Sequence, residues 1–239
     1  MEMNIKWGQV DENIAVAERM MEQSGAADLY VLPEMWATGF AIEPEGLAED
    51  EDDSIALTWM KSTAARRQCA ISGSLAIRTA EDGSYRNRHY FVTPESTIYY
   101  DKHHLFTPGG EHEHYAAGQK TVITEWQGVR FLLLTCYDLR FPLFSRWGLA
   151  GEYDAIIYTA NWPSRRQLAW NTLVRARAIE NQCYVVAVNR TGSDPATTYT
   201  GGSCLIDPTG MTTDEIDLER LRVMRNRFRV LDDRDYIRH

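Results

Sequence analysis

Stretches with helical spacing of apolar residues alternate with short apolar runs along the chain. Residues 11–24 place apolar side chains three and four positions apart, which predicts an amphipathic helix. Residues 28–33 form a short apolar run that is typical of a buried strand. Residues 56–68 are again helix-like, and residues 69–77 again read as a strand. The first third of the chain is therefore predicted to alternate between helices and strands.

The same alternation continues toward the carboxyl end. Residues 85–100 alternate in polarity around a turn at 93–96, which predicts a hairpin. Buried strands are expected at 128–136, 154–160, 183–188 and 203–207, with helices at 165–181 and 213–222. Helices interleaved with strongly apolar strands predict a layered α/β fold. No repeat or Pro/Ser-rich linker divides the sequence, so residues 1–239 are predicted to form a single domain.

Composition and charge narrow the range of partners. The chain of 239 residues has 44% hydrophobic and 25% charged residues, as ordinary globular proteins do. Its formal net charge of −9 disfavours a nucleic-acid or anionic-membrane partner, since both attract basic surfaces. We find no apolar run of about 18 residues and no signal-peptide pattern in residues 1–10. A cytoplasmic protein is expected.

Four cysteines stand at positions 69, 136, 183 and 204, and no two of them have the C-x-x-C spacing of a zinc or redox site. Free thiols are therefore expected, each of them either a buried apolar group or a nucleophile. The acidic run at 49–54 is interpreted as a solvated loop rather than a metal site.

Three polar residues follow β-like runs and are candidates for chemistry. Glu34 follows the first apolar run, Cys136 ends the most apolar one, and Lys102 follows the predicted hairpin. The carboxyl ends of strands in α/β proteins are where ligands bind. A glutamate at such a place is costly unless it is paired or functional. Taken singly, each residue is also compatible with a structural role.

Together these residues stand in a recognisable sequence context, because the chain resembles the nitrilase, or carbon–nitrogen hydrolase, superfamily and is most similar to its omega-amidase branch. Five blocks carry the resemblance in the family order: Leu32-Pro33-Glu34, Lys102-His103-His104-Leu105-Phe106, Cys136-Tyr137-Asp138-Leu139-Arg140-Phe141-Pro142, Ala160-Asn161-Trp162-Pro163 and Arg175–Asn181. The resemblance implies a four-layer α-β-β-α sandwich, a homodimer and catalysis without a cofactor or metal.

The resemblance also implies roles for individual residues. Cys136 would be the nucleophile and Glu34 the general base, since a thiol with a pKa of about 8.5 needs a nearby base at neutral pH. Lys102 and the backbone N–H of Tyr137 would stabilise the oxyanion, and the Lys102 cation would also favour the thiolate. Glu111 matches a second family glutamate that orients the lysine; the exposed-loop alternative is Glu113.

The omega-amidase branch implies a substrate with a terminal amide and a carboxylate, such as 2-oxoglutaramate or 2-oxosuccinamate. A carboxylate calls for an arginine or backbone amides, and Arg140 or Arg165 could supply the guanidinium unless it serves a structural ion pair. Tyr115 and Trp162 are candidate walls of the pocket, as are Trp36 and Phe40; core packing would explain these aromatic residues equally well.

Other functions stay open at this point. An N-carbamoyl amidohydrolase, an aliphatic amidase or a nitrilase could use the same residues. A protein of another class could bind metal through His103, His104, His112 and His114, although their spacing matches no known zinc motif. A non-catalytic binding protein would not need a nucleophile beside a base. The sequence also departs from the family at both ends: only six residues precede Trp7, and residues after Pro208-Thr209-Gly210 read as a helix, so a strand could be missing at each place.

Overall fold

The structure, a computed structural model, describes residues 1–235 and contains two five-stranded β-sheets flanked by helices. The α-helices are α1 (Val10–Ser24), α2 (Ile55–Arg67), α3 (Glu111–His114), α4 (Gln167–Asn181) and α5 (Leu218–Arg227). The strands are β1 (Leu29–Val31), β2 (Glu49–Asp50), β3 (Ala70–Arg78), β4 (Tyr85–Val92), β5 (Thr97–Asp101), β6 (Ile123–Trp126), β7 (Val129–Thr135), β8 (Ala155–Ala160), β9 (Tyr184–Asn189), β10 (Thr191–Ser193), β11 (Thr198–Thr200) and β12 (Cys204–Ile206).

The first sheet has the strand order β1-β3-β4-β5, with β2 also paired to β3. β1 and β2 run parallel to β3, whereas β3–β4 and β4–β5 are antiparallel. The turn between β4 and β5 is closed by the Thr93 N–H, which donates to the Ser96 carbonyl at 2.9 Å. The predicted hairpin is thereby confirmed. Because β1 and β5 point the same way, their carboxyl ends lie at one edge of the sheet.

The second sheet has the order β12-β9-β8-β7-β6, with a parallel centre and antiparallel edges. Every residue of β8, whose sequence is AIIYTA, is buried. Parallel strands covered on both faces require such continuous apolar runs, which is why the sequence pattern identified this strand. The carboxyl ends of β7 and β8 share an edge in the same way as those of β1 and β5.

The two sheets pack face to face, and helices cover their outer faces. Phe91 of β4 and Phe131 of β7 meet between the sheets with ring centroids 5.6 Å apart. Helices α1 and α2 pack on the first sheet through residues such as Met21 and Met60. Helix α4 packs on the second sheet through Trp170. The four-layer α-β-β-α sandwich expected from the resemblance is confirmed.

Several predicted elements need correction. The helix predicted at 213–222 begins later, at Leu218, because the Asp217 carboxylate caps it by accepting from the Arg220 N–H at 2.9 Å. The strands β2, β6, β10 and β11 were not predicted from the sequence. They are two to four residues long, too short to show a clear period.

The acidic run at 49–54 is not simply a solvated loop. Glu49 is half-buried and accepts the N–H groups of Ile55 and Ala56, at 2.8 and 3.2 Å, at the start of α2. Those first N–H groups of a helix have no partner within the helix. Glu51 forms an ion pair with Arg88. Acidic side chains here serve a helix terminus and a buried arginine.

The amino-terminal segment also contributes to the core. Met3 and Ile5 are buried, and Asn4 forms a single parallel bridge with Thr191. The amino-terminal segment is thereby joined to β10 through Asn4. No helix described within residues 1–235 is both long and apolar enough to cross a membrane.

Replacing Phe91 by alanine is expected to lower the free energy of unfolding by about 3–5 kcal/mol, because it opens a cavity between the two sheets. The matched control is Ile98→Ala: Ile98 is the cross-strand partner of Phe91 but is 37% exposed, so its loss is expected to be clearly smaller. Urea unfolding of both variants measures the difference. Similar losses would contradict the placement of Phe91 between the sheets.

Candidate active site

The strand ends of both sheets meet at one place in the molecule. Glu34 lies three residues beyond β1, Lys102 directly follows β5, and Cys136 directly follows β7. Asn161 directly follows β8 and its carbonyl accepts from the Cys136 thiol at 3.9 Å. The first sheet therefore supplies the Glu34 carboxylate and the Lys102 amine, and the second sheet supplies the Cys136 thiol.

Lys102 is held between two carboxylates. Its Nζ lies 2.8 Å from Glu34 Oε1 and 2.8 Å from Glu111 Oε2. Exposed fractions are 0% for both glutamates and 1% for the lysine. With both carboxylates ionised, the cluster of Glu34, Lys102 and Glu111 has a formal charge of −1. This charge would repel any further anion that forms nearby.

The remaining oxygen positions of the two glutamates are also occupied. Asn87 Nδ2 donates to Glu34 Oε1 at 2.8 Å and to Glu111 Oε1 at 2.9 Å. The Asn161 N–H donates to Glu34 Oε2 at 2.9 Å, and the Phe106 N–H donates to Glu111 Oε2 at 2.6 Å. Buried charges are tolerated only when they are paired and hydrogen-bonded. This network therefore fixes the position of the Lys102 ammonium.

Cys136 occupies a strained position at the start of a 3₁₀ helix, Cys136–Arg140. Its φ of 44° lies in the left-handed region that side chains rarely adopt. The turn is held by Thr135 and Asp138, whose side chains each accept from the other residue's backbone N–H. Asp138 also accepts from the Tyr100 hydroxyl at 2.8 Å. The strand-to-helix turn presents the sulfur at its tip, as a nucleophile requires.

Burial is the largest single influence on the pKa values of Cys136 and Lys102. Burial raises the pKa of the Cys136 thiol well above its ordinary value, the Glu34 charge raises it further, and the Lys102 charge opposes both. The expected effect of Lys102 on the thiolate is present but is outweighed. Burial alone would lower the pKa of Lys102, yet Glu111, Glu34 and Cys136 raise it overall. Cys136 thus rests as a thiol beside a charged lysine.

A cavity of ≈ 690 Å³ opens above Cys136. Its wall includes Tyr137, Arg140 and Trp162 from the predicted set, together with Phe40 and Arg165. Other lining residues are apolar, polar or charged, and they include Trp7, Ile42, Glu43, Glu45, Leu47, Phe106, Pro108, Asn161, Pro163, Arg166, Asp194, Thr197 and Tyr199. The guanidinium of Arg140 lies over the Trp162 ring, 4.8 Å from its centroid. Such a cavity suits a small ligand with an anionic group.

Tyr115, which was expected to line the pocket, is placed elsewhere. It is only 3% exposed, it packs with Met35 and Leu105, and its hydroxyl donates to the Ala41 carbonyl at 2.5 Å. Trp36, the other aromatic candidate, is buried against Trp59. Both are core residues with large, buried side chains. The buried Tyr115 hydroxyl needs an internal acceptor, and the Ala41 carbonyl provides it.

The two glutamates of the loop after Lys102 differ in their exposure to solvent. Glu111 is buried against Lys102, whereas Glu113 is exposed. Of the histidines in this region, His104 bonds to Asp138 at 2.8 Å and His103 to the Gly118 carbonyl at 2.7 Å. Within residues 1–235, no three His, Cys, Asp or Glu side chains are grouped so that they could hold a metal ion.

Several residues at the site were not identified from the sequence. Asn87 lies in a run of polar residues, Arg86–His89, within the predicted hairpin. This interruption of the alternating pattern could have identified Asn87 as a candidate. Asn161 belongs to one of the five family blocks, but no role was expected for it. Arg166 follows Arg165 in the cavity wall, and nothing in the local sequence distinguishes the two.

Comparisons with known proteins agree with this geometry. The family model described as Carbon-nitrogen hydrolase matches residues 1–224. Omega-amidase YafV of Escherichia coli (strain K12) is 42% identical over 246 residues, covering 97% of this chain and 94% of that protein. The 2-oxoglutaramate amidase of Bacillus subtilis (strain 168) is 37% identical, with coverage of 98% and 95%.

Solved structures lead to the same family. XC1258 from Xanthomonas campestris, described as a CN-hydrolase superfamily protein with an arsenic adduct in the active site, is 38% identical with a TM-score of 0.93. The match covers 100% of this chain and 96% of that one. Nit3 of Saccharomyces cerevisiae, at 20% identity and a TM-score of 0.85, shares the fold. The resemblance found in the sequence is thereby confirmed, and the chain belongs to the carbon–nitrogen hydrolase family.

Proposed function

We propose that the protein is a thiol amidohydrolase that cleaves the terminal amide of a small carboxylate-bearing 2-oxo acid, such as 2-oxoglutaramate or 2-oxosuccinamate. The observation that carries the proposal is the Cys136 thiol on a strained turn in the cavity wall, next to the buried pair of Glu34 and Lys102. Relatives named omega-amidase and 2-oxoglutaramate amidase support the choice of substrate.

In the first half-reaction Cys136 attacks the amide carbonyl while Glu34 accepts the thiol proton. A base is needed because burial keeps the thiol protonated. The carbonyl oxygen gains negative charge, which the Lys102 ammonium and the Tyr137 N–H stabilise, each by about 3–4 kcal/mol. Glu34 then donates its proton to the departing nitrogen. Ammonia leaves, and the acyl group remains on the sulfur as a thioester.

In the second half-reaction Glu34 removes a proton from water, which attacks the thioester carbon. The same two donors stabilise the second oxyanion. The carbon–sulfur bond breaks, the thiolate regains its proton from Glu34, and the 2-oxo dicarboxylate leaves. In both halves the nucleophile, the base and the oxyanion donors are protein groups.

Glu111 is assigned a positioning role in this scheme. Its oxygens accept from Lys102, Asn87 and Phe106, and burial is the largest cause that raises its pKa, which the Lys102 charge opposes. Because a long lysine side chain has many rotamers, two carboxylates that hold its Nζ prepare it for the oxyanion. Preorganised donors cost no reorganisation when the charge develops.

Other substrates of the same chemistry remain alternatives. N-carbamoyl compounds, aliphatic amides and nitriles would all suit a Cys–Glu–Lys set, and one relative, 30% identical, is named (R)-stereoselective amidase. The guanidinium groups of Arg140, Arg165 and Arg166 in the cavity wall favour an anionic substrate over neutral aliphatic amides and nitriles, whereas N-carbamoyl amino acids carry a carboxylate and would suit them too. The cytoplasmic location and the homodimer expected from the sequence stay predictions.

Cys136→Ala and Glu34→Gln are each expected to lower kcat for 2-oxoglutaramate by more than about 10⁴-fold, because nucleophile and base act as one unit. Ammonia release measures the effect, and circular dichroism checks folding. Cys204→Ala is the control: that thiol lies on β12, outside the cavity, and turnover should stay near wild type. Retained turnover in folded Cys136→Ala protein would rule out this mechanism.

Glu111→Gln is expected to lower kcat by about 10- to 100-fold, since one of the two charges that hold Lys102 is lost. Glu113→Gln makes the same chemical change two residues away on an exposed side chain, so kcat should change by less than about twofold. Steady-state kinetics of both variants test the assignment. Equal losses in the two variants would show that Glu111 has no special position.

Glu34→Gln is also expected to lower the pKa of the Cys136 thiol, because the Glu34 charge raises that pKa and Lys102 then acts unopposed. The thiolate fraction at a given alkaline pH should therefore increase while turnover is lost. Ultraviolet absorbance of the thiolate, titrated against a Cys136→Ala blank, measures the shift. An unchanged or higher pKa would mean that Glu34 does not act on the thiol through its charge.

A further inference from the structure

The cavity wall carries an arginine whose surroundings set it apart from its neighbours. Arg166 ends the 3₁₀ helix Ser164–Arg166, and the Trp162 indole N–H donates to its carbonyl at 2.9 Å. Its guanidinium carbon lies 5.0 Å from the Phe106 ring centroid. Phe106 belongs to the loop that follows Lys102, and its own N–H is bound to Glu111. The Arg166 side chain thus reaches from the segment after β8, in the second sheet, to the loop after β5, in the first sheet.

A second feature of Arg166 is the set of charges around it. Within residues 1–235, no carboxylate lies within ion-pair distance of Arg166, Arg165 or Arg140. Burial is the largest cause that lowers the pKa of Arg166, and the charges of Arg165 and Arg140 add to it. Three cations therefore share the cavity wall, and a bound anion would offset part of their mutual repulsion.

The acidic residues of the cavity do not provide that anion. Asp194 already accepts from the Tyr199 hydroxyl at 2.5 Å and from the Ala196 and Thr197 N–H groups at 2.8 Å. Glu43 and Glu45 are exposed and form no ion pair among residues 1–235. A guanidinium that lies over an aromatic ring keeps its edge free for a carboxylate, which accepts two parallel N–H bonds.

We propose that Arg166 is a specificity-determining residue that binds the substrate carboxylate together with Arg140, so that the site selects amides bearing a free carboxylate over neutral amides. The inference rests on the proposed hydrolysis at Cys136 and deepens it. Phe106 fixes the guanidinium, and the adjoining Trp162 orders both arginines, one through its ring and one through its indole N–H.

The first test compares glutaramate with its methyl ester, two amides that differ in the negative charge. Arg166→Gln is expected to lower kcat/KM for ammonia release from glutaramate by about 10- to 100-fold, mainly through KM, because a charge-assisted hydrogen bond is lost. For the neutral ester kcat/KM should change by less than about threefold. Arg166→Lys should keep part of the discrimination, since it keeps the charge but not the planar fork.

A matched control is Arg19→Gln, which removes the same charge from an exposed position on α1, away from the cavity. Both kcat/KM values should stay at wild-type level in that variant. Equal losses for glutaramate and its ester in Arg166→Gln would overturn the inference, because they would indicate a role in folding or in the chemical step. No loss for glutaramate would overturn it as well.

A binding measurement separates this inference from the proposed function. Glutarate is expected to protect wild-type Cys136 from alkylation by iodoacetamide, and the half-protecting concentration should rise about 10-fold or more in Arg166→Gln. Failure of the wild type to release ammonia from any amide would remove the proposed function, while glutarate protection that depends on Arg166 would still support the carboxylate site. Absence of protection in the wild type would overturn the site itself.

Discussion

The buried contact of Lys102 with two carboxylates is the constraint on which the rest of the site depends. Removing three charged groups from water costs several kcal/mol for each ion, and their attraction offsets that cost only when every remaining hydrogen-bonding position is filled. Asn87, Asn161 and Phe106 fill those positions. Amide and backbone donors from three separate segments must therefore arrive together with the charged residues, so the site forms only when the whole fold does.

The paired sheets make that arrangement possible. Each sheet delivers its functional residues at the carboxyl ends of parallel-running strands, and packing the sheets face to face brings the two edges together. Glu34 and Lys102 come from one sheet, and Cys136 and Asn161 from the other. Small shifts between the sheets would separate base from nucleophile, which links the apolar core between them to the chemistry. Stability and function depend here on the same packing.

Charge is distributed unevenly around the thiol, and this follows from the same network. On the inner side, burial keeps Cys136 a neutral thiol until a base acts, and the Glu34 charge adds to that effect against the opposing charge of Lys102. On the outer side, the cavity wall carries the guanidinium groups of Arg140, Arg165 and Arg166 as well as the carboxylates of Glu43, Glu45 and Asp194. Under the proposed function, a neutral amide carbon would approach the sulfur while the carboxylate of the substrate lies against the arginines. Such a site would orient a substrate by charge before any bond forms.

The sequence by itself determined the longer helices and strands and marked Glu34, Lys102 and Cys136 as candidates, because apolar runs and short motifs are local properties of the chain. The two-sheet arrangement was expected only from the resemblance to the carbon–nitrogen hydrolase family. Only the tertiary structure decided where the side chains point. Tyr115 turned into the core and Arg166 lined the cavity, although neither neighbourhood distinguishes them in sequence. Asn87 joined the buried network from the middle of a strand. Such placements depend on contacts between segments far apart in the chain, and local pattern carries no record of those contacts.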